Sequence, residues 1–162
     1  MIDARGMTTE YRPPLAPPKG EDEDPVFNLI DNPDSGKTWL LADVANKPSF
    51  KWDSRAYRQR LKYDIAQRPI EKWVQAPNST NEVLKQKTVY GETANSPRTI
   101  NLLGQVFEQY DQAGKQSFTA YDFKGSLKIE ARQFAQVFDA ALDYSGSVAL
   151  QTEIYSTSYT YD

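Results

Sequence analysis

An aromatic residue followed by aspartate recurs in this chain at a fixed spacing. It stands at Trp52-Asp53 and, eleven positions on, at Tyr63-Asp64; it stands at Tyr110-Asp111 and, again eleven on, at Tyr121-Asp122. The chain also closes on Tyr161-Asp162, and DARG at Asp3–Gly6 resembles DQAG at Asp111–Gly114. Self-similarity of this kind marks an array in which one local structure is laid down repeatedly. The physics of the unit can be stated. A tyrosine at a strand end lays its ring on the neighbouring strand and carries its hydroxyl toward the surface. The aspartate opens the turn by accepting a backbone N–H two residues on. Glycine at the fourth place, Gly114 after Asp111 and Gly125 after Asp122, accepts a positive φ.

The rest of the chain fits a meander of short strands. The runs WLLADV, RLKYD, EKWVQ, VLKQKTVYG, GQVFEQYD, SFTAYD, SLKIE and VALQTEIYSTSYTYD each read as a strand. Turn residues separate them at Asn32-Pro33, Asp34-Ser35-Gly36, Pro77-Asn78-Ser79, Ala113-Gly114 and Ser145-Gly146-Ser147. Twenty aromatic residues (ten Tyr, seven Phe, three Trp) in a chain only 39% apolar suit sheets better than a helical bundle. One segment competes. In EARQFAQVFDAALDYSG, residues Phe134, Val137, Phe138, Ala141 and Leu142 recur at helical offsets before a Ser145-Gly146 stop, which predicts one short α-helix near 130–142. Residues 1–25 form an irregular segment: Tyr11–Pro25 holds five prolines and the acidic run Glu21–Asp24, and proline removes strand and helix donors. The sheet region is expected over 26–162.

Composition excludes whole classes of chemistry. The chain has neither Cys nor His, so thiolate nucleophiles, disulfides, Cys/His zinc sites and imidazole-based acid–base catalysis are ruled out together. With a net charge of −3 and scattered Lys and Arg, it lacks the positive footprint that nucleic acid requires. No apolar run approaches the roughly 20 residues of a membrane-spanning helix, so no direct membrane insertion is expected. The segment MIDARGMTTEYRPP lacks the apolar stretch of a secretory signal.

The segments WLLADV…WDSRAYRQRLKYDIAQRPI (Trp39–Ile70), VYGET (Val89–Thr93) and NLLGQVFEQYDQAGKQSFTAYDFKGSLKIEARQFAQVFDAALDYSG (Asn101–Gly146) resemble the YD repeats of Rhs proteins and of the B and C subunits of insecticidal toxin complexes. The motifs Tyr63-Asp64-x-x-x-Arg68-Pro69 and Tyr121-Asp122-x-x-Gly125 carry the likeness more specifically than a bare Tyr-Asp pair. The resemblance implies a mainly β fold, an antiparallel ribbon of hairpins forming part of a β-shell around a toxic polypeptide. It marks Trp52, Asp53, Tyr63, Asp64, Arg68, Pro69, Tyr110, Asp111, Gly114, Tyr121, Asp122 and Gly125 as structural repeat positions. Its implied partners are the remaining repeats and the enclosed cargo. Its implied location is outside the cell as part of a toxin complex, after a cytoplasmic stage. Ala56 departs from the pattern, standing where the turn prefers Gly, and the family's acidic self-cleavage motif has no counterpart. The closing YTYD stops halfway through a repeat, which is expected of a piece of a larger protein or a truncated gene product. Two unprotected sheet edges then predict that the isolated protein is marginally stable or self-associating.

Other motifs resolve less favourably. Ser35–Thr38 (SGKT) ends like a phosphate-binding loop, but Asp31 occupies the place of the first glycine, so a turn with a solvated Lys37 is expected. Asp31, Asn32, Asp34 and Ser35 lack the spacing and closing Glu of a calcium loop. The sequon Asn78–Thr80 marks an exposed turn. Tyr155, Tyr159 and Tyr161 at even offsets form either an aromatic ladder for a further strand or a platform for sugars. Paired carboxylates for glycoside hydrolysis remain the third alternative. The expected function is structural, with no catalytic residue, no metal and no cofactor.

Overall fold

The computed structural model describes residues 28–32 and 36–161. The reading of the Pro-rich segment 1–25, and the turn residues 33–35, lie outside the described residues. Ten strands follow chain order through an antiparallel sheet: β1 (Asn28–Asn32), β2 (Gly36–Ala42), β3 (Pro48–Asp53), β4 (Arg58–Tyr63), β5 (Pro69–Gln75), β6 (Glu82–Tyr90), β7 (Val106–Asp111), β8 (Gly114–Tyr121), β9 (Leu127–Phe134) and β10 (Tyr155–Ser158). Two compact units divide the chain, one ending at Arg58 and one beginning at Gln59.

The first unit is a meander. β1 pairs with β2 from Asn28↔Leu40 to Asn32↔Gly36, and β2 pairs with β3 through Trp39↔Trp52 and Leu41↔Phe50. Its core is small: Leu41 and Trp52 are buried, and Trp52 stacks on Phe50, its neighbour two residues back on the same strand face, at 5.7 Å. Lys37 is not in a solvated turn. It lies half-buried in β2 opposite Asp31, because the SGKT stretch enters a strand at Gly36.

The second unit is built on β5–β9. β5 pairs with β6 (Trp73↔Leu84), β6 with β7 (Lys87↔Tyr110), β7 with β8 (Tyr110↔Lys115) and β8 with β9 (Gln116↔Arg132). Bulges at Lys72/Trp73 and Val89/Tyr90 interrupt the register. A 3-10 turn, Gly91–Thr93, opens the connection from β6 to β7, and Leu102 within that connection is fully buried.

No α-helix is present among the described residues, so the helix expected near 130–142 is corrected. Glu130 is in β9, opposite Phe118 of β8 and Thr157 of β10. After Phe134 the chain makes one bridge, Ala135↔Leu150, and between them runs as an irregular strap. The burial pattern shows why helical spacing misled: Val137 and Phe138 are exposed, whereas Ala135, Leu142 and Tyr144 are buried. The extended strap also serves β6. The β7–β8 hairpin ends at Asp111↔Gly114, so β6 has no β7 partner before Lys87. The main-chain groups of Leu84 need other partners. An extended strap supplies them: Tyr144 N–H donates to Leu84 O (3.0 Å), and Leu84 N–H donates to Asp143 Oδ1 (3.1 Å). Upstream, Glu130–Phe134 pair with β8, and Ala135 N–H and Gln136 N–H donate to Ala113 O and Ala149 O, main-chain bonds that a helix over 130–142 would have to give up. Leu84, Ala135, Leu142 and Tyr144 then close the core of the unit, with Trp73, Tyr110, Val148 and Leu150 packed around it.

The run Val148–Asp162, expected as one strand, is shorter among the described residues, where Tyr155–Ser158 pair with β9 and Tyr159 N–H adds a bond to Lys128 O. Strands β1 (Asn28–Asn32) and β3 (Pro48–Asp53) are not among the runs read as strands from the sequence, although each carries as many apolar residues as RLKYD or SLKIE.

Candidate functional site

The recurring element of the fold is a turn. At Asp122 the main chain closes with Asp122 N–H to Ser126 O (2.9 Å) and Gly125 N–H to Asp122 O (3.1 Å). The carboxylate Oδ1 accepts the N–H groups of Lys124 and Ser126, both at 2.8 Å. Asp53 repeats this, accepting from Arg55 and Tyr57 at 3.0 Å, and Asp64 accepts from Arg68 at 2.8 Å. The two main-chain bonds are the same at both: Asp53 N–H to Tyr57 O and Ala56 N–H to Asp53 O, Asp64 N–H to Arg68 O and Gln67 N–H to Asp64 O. The residue three places after each aspartate has positive φ: 64° at Ala56, 63° at Gln67 and 84° at Gly125. This is a three-residue hairpin loop with a left-handed closing residue, made to order by the aspartate.

A fourth copy was missed in the sequence. Asp43 accepts from Ala45 (2.8 Å) and Lys47 (2.9 Å), and Asn46 has φ 59°. No aromatic residue precedes Asp43, which hid it; the usable signal was Asn46, since asparagine tolerates the left-handed region. Conversely, Tyr110-Asp111 opens a different turn. Asp111 and Gly114 face each other across a two-residue loop, and Asp111 Oδ1 accepts from Ala113 (2.8 Å) and Gly114 (3.1 Å) with no fourth-residue bond among them. Gly114, at φ 136°, is required by contact as well: a Cβ there would lie 2.2 Å from Gln133 O.

Aromatic partners of the aspartates occupy strand ends. Tyr63 and Tyr121 are the last residues of β4 and β8, while Trp52 and Tyr110 precede the last residues of β3 and β7. The tyrosine hydroxyls find partners in the sheet instead of solvent: Tyr121 Oη donates to Val106 O (2.8 Å) and Tyr110 Oη to Glu108 (2.7 Å). Burial, and for Tyr110 the adjacent Glu108 carboxylate, push both phenols above their ordinary range.

Arg68 ties one turn to the loop that follows β6. Its Nε donates to Asp64 Oδ2 (2.8 Å), its Nη1 to Glu92 Oε1 (2.9 Å), and its guanidinium lies 3.9 Å from the Tyr90 ring centroid. Glu92 also accepts Gly104 N–H (3.1 Å), and Tyr90 Oη donates to Pro69 O (3.3 Å). Pro69 follows as the first residue of β5, where its missing N–H is tolerated. Backbone N–H donation, from Arg68 to Asp64 and from Ser126 to Asp122, holds both carboxyls below their ordinary range. Burial raises Asp111, but Arg132 and the turn amides outweigh it and leave that carboxyl lowered too. Sequence reasoning did not find Tyr90, Glu92, Gln112 or Tyr144. Gln112 accepts Leu142 N–H (3.0 Å) and donates to Lys85 O (3.0 Å), and the Tyr144 hydroxyl is shared between Asp111 O (2.7 Å) and Gly114 O (3.0 Å).

At the end of the sheet, β10 is exposed throughout. Tyr155 meets Phe134 edge-on at 5.6 Å, Tyr159 stacks on Tyr161 at 6.5 Å, and their hydroxyls reach back to Glu130 Oε1 and Leu127 O, both at 2.7 Å. Among the described residues, no group of three or more Asp and Glu side chains is arranged to hold a metal ion.

No protein-family model matches the chain, and no curated protein matches it in sequence. Solved structures do. The crystal structure of TcdB2-TccC3 matches with a TM-score of 0.74 at 19% identity, over 82% of this chain and 7% of that one. TcdB2-TccC3 without its hypervariable C-terminal region matches at 0.73 and 19%, over the same shares. The Tc holotoxin pore of Photorhabdus luminescens, carrying a TccC3 mutation, matches at 0.75 and 20%, over 83% of this chain and 6% of that one. The chain therefore spans a small part of the length of the proteins it matches, and over most of its own length it has the fold of a segment of TcdB2-TccC3, a mainly β antiparallel sheet.

Proposed function

We propose that the chain is wall material of a shell of the Rhs and toxin-complex kind, enclosing or presenting another polypeptide and catalysing no reaction of its own. The observation that carries this reading is the turn repeated at Asp43, Asp53, Asp64 and Asp122 within a fold shared with TcdB2-TccC3. A turn specified by one aspartate and one left-handed residue lets a sheet lengthen by hairpins with little demand on the remaining sequence. Five of the carboxylates already have structural partners: Asp64 and Asp122 hold turn amides, and Glu71, Glu82 and Glu108 pair with Lys62, Arg60 and Lys115. Partners on this reading are further repeats and a cargo chain, and the working location is outside the cell after cytoplasmic synthesis.

A graft tests the reading. Residues 28–161 put in place of the matching segment of a TcdB2-TccC3 chain should give a soluble chimera whose C-terminal segment resists added protease. A chimera with native β-sheet circular dichroism whose C-terminal segment is cleaved as fast as the free peptide would refute it. One observation favours a second reading, a glycan-binding module: the exposed, stacked Tyr159 and Tyr161. Binding on a glycan array, lost in Tyr159→Ala, would support that reading over the wall.

A further inference from the structure

In the unit from Gln59 onward the strands alternate in direction, so their connections fall at two ends. One end carries the β4–β5 turn, the β6–β7 loop and the β8–β9 turn; the other carries the β5–β6 and β7–β8 turns and the strap between β9 and β10. Both ends are apolar at their tips. At the first, Ile65 and Phe123, each directly after a turn aspartate, are 103% and 87% exposed, and Leu103 is half-exposed. At the second, Phe138 of the strap is 91% exposed beside a half-exposed Val137.

The charges at the tips of the two ends differ in sign. Asp64 and Asp122 at the first end are bound into their turns, and Glu92 is held by Arg68. The charges presented outward beside Leu103 and Phe123 are cationic, Arg98 and Lys124, and both are exposed. Together with Asn101, Gln105 and the turn carboxylate of Asp122 they line an open groove of about 380 Å³ at the foot of Phe123, two cations to one acid. The strap contributes no Lys or Arg from Gln136 to Ile154; its exposed charges are Asp139, next to Phe138, and Glu153.

We infer that this chain associates end to end with a second copy of itself, Phe138 of one copy entering the Phe123 groove of the next while Asp139 faces Arg98 and Lys124. Exposed apolar tips, with cations in excess beside one and an acid beside the other, fit a contact with an aromatic anchor. Because the two surfaces differ, the contact is heterologous and leaves each copy one end open, so association continues beyond the dimer. This is distinct from pairing through the lateral strands β1 and β10, and it does not depend on the wall reading.

Sedimentation velocity on the full chain and on Phe123→Ser and Phe138→Ser tests it. Both side chains are exposed, so far-UV circular dichroism should be unchanged. The wild type should grow in size with concentration. Each variant alone should need at least about tenfold more protein to associate. An equimolar mixture of the two should form a dimer and stop there, because Phe123→Ser keeps an intact strap and Phe138→Ser an intact groove. Association of Phe138→Ser at the wild-type level would mean that like ends meet. Undiminished association of both variants would mean that strand edges pair. A wild type that stays monomeric would mean that no contact exists. Any of these three results overturns the proposal.

Discussion

The four aspartate turns offer an internal experiment, because one backbone position is filled by Asn46, Ala56, Gln67 and Gly125 at φ values of 59°, 64°, 63° and 84°. A side chain with a Cβ in this region costs roughly 1–2 kcal/mol, and asparagine less because its amide bonds locally. Glycine escapes that cost but loses more chain entropy on folding, about 0.5–1 kcal/mol. Ala56→Gly and Gln67→Gly should therefore each stabilise by about 0.5–1 kcal/mol, and Asn46→Gly by less than either. Gly125→Ala should destabilise by a similar amount, since the nearest atom to a Cβ there is the mobile Gln105 Nε2 at 3.3 Å, leaving φ as the main cost. With a urea dependence near 2 kcal/mol per M, each change moves the unfolding midpoint by about 0.3–0.5 M. Urea titrations by tryptophan fluorescence and circular dichroism would measure it. If Ala56→Gly lowers the midpoint, or if Asn46→Gly gains more than Ala56→Gly, the left-handed residue is not what limits these turns.

Three further outcomes are expected. Tyr144→Phe keeps the ring on Tyr110 but deprives Asp111 O and Gly114 O of their hydroxyl donor, so it should cost about 1–2 kcal/mol, against roughly 3–5 kcal/mol for Tyr144→Ala, in the same urea assay; equal losses would mean that the hydroxyl anchors nothing. Gly91→Ala places a Cβ 2.1 Å from Leu102 O, a backbone atom, and should destabilise by about 1–3 kcal/mol, while Leu102→Ala empties a fully buried site and should cost roughly 2–5 kcal/mol. The carboxyls of Asp64, Asp111, Asp122 and Asp143 all titrate below their ordinary value. A group depressed in the folded state contributes stability above its unfolded pKa, near 4, and loses it as pH falls through the lower folded pKa. Acid titration by circular dichroism should thus show loss below about pH 4 and a flat response from 6 to 8, where a chain without His has no side chain of ordinary pKa to titrate. A midpoint near pH 6 would contradict this.

What the sequence made legible was local, and what it hid was set by distant partners. Asp53, Asp64 and Asp122 could be read as turn openers because an aspartate's bonds to the next few amides depend on its own neighbours alone. The identical spacing of Tyr110-Asp111 suggested the same turn there, yet the chain folds into a tighter one. Gly114 tolerates contact with Gln133 O, and Arg132 from β9 holds the Asp111 carboxylate. Neither fact is local. The strap is the clearest case. Phe134, Val137, Phe138, Ala141 and Leu142 have helical spacing, but a helix there would break the pairing of Glu130–Phe134 with β8 and the bonds from Ala135 N–H to Ala113 O and from Gln136 N–H to Ala149 O, leaving those distant groups without partners. An unmet buried main-chain bond costs more than helix propensity returns over so short a segment. The extended form wins, and Val137 and Phe138, which a helix would have turned toward the core, are left at the surface. The same pairing with β8 therefore accounts for both the absent helix and the exposed aromatic tip on which end-to-end association depends.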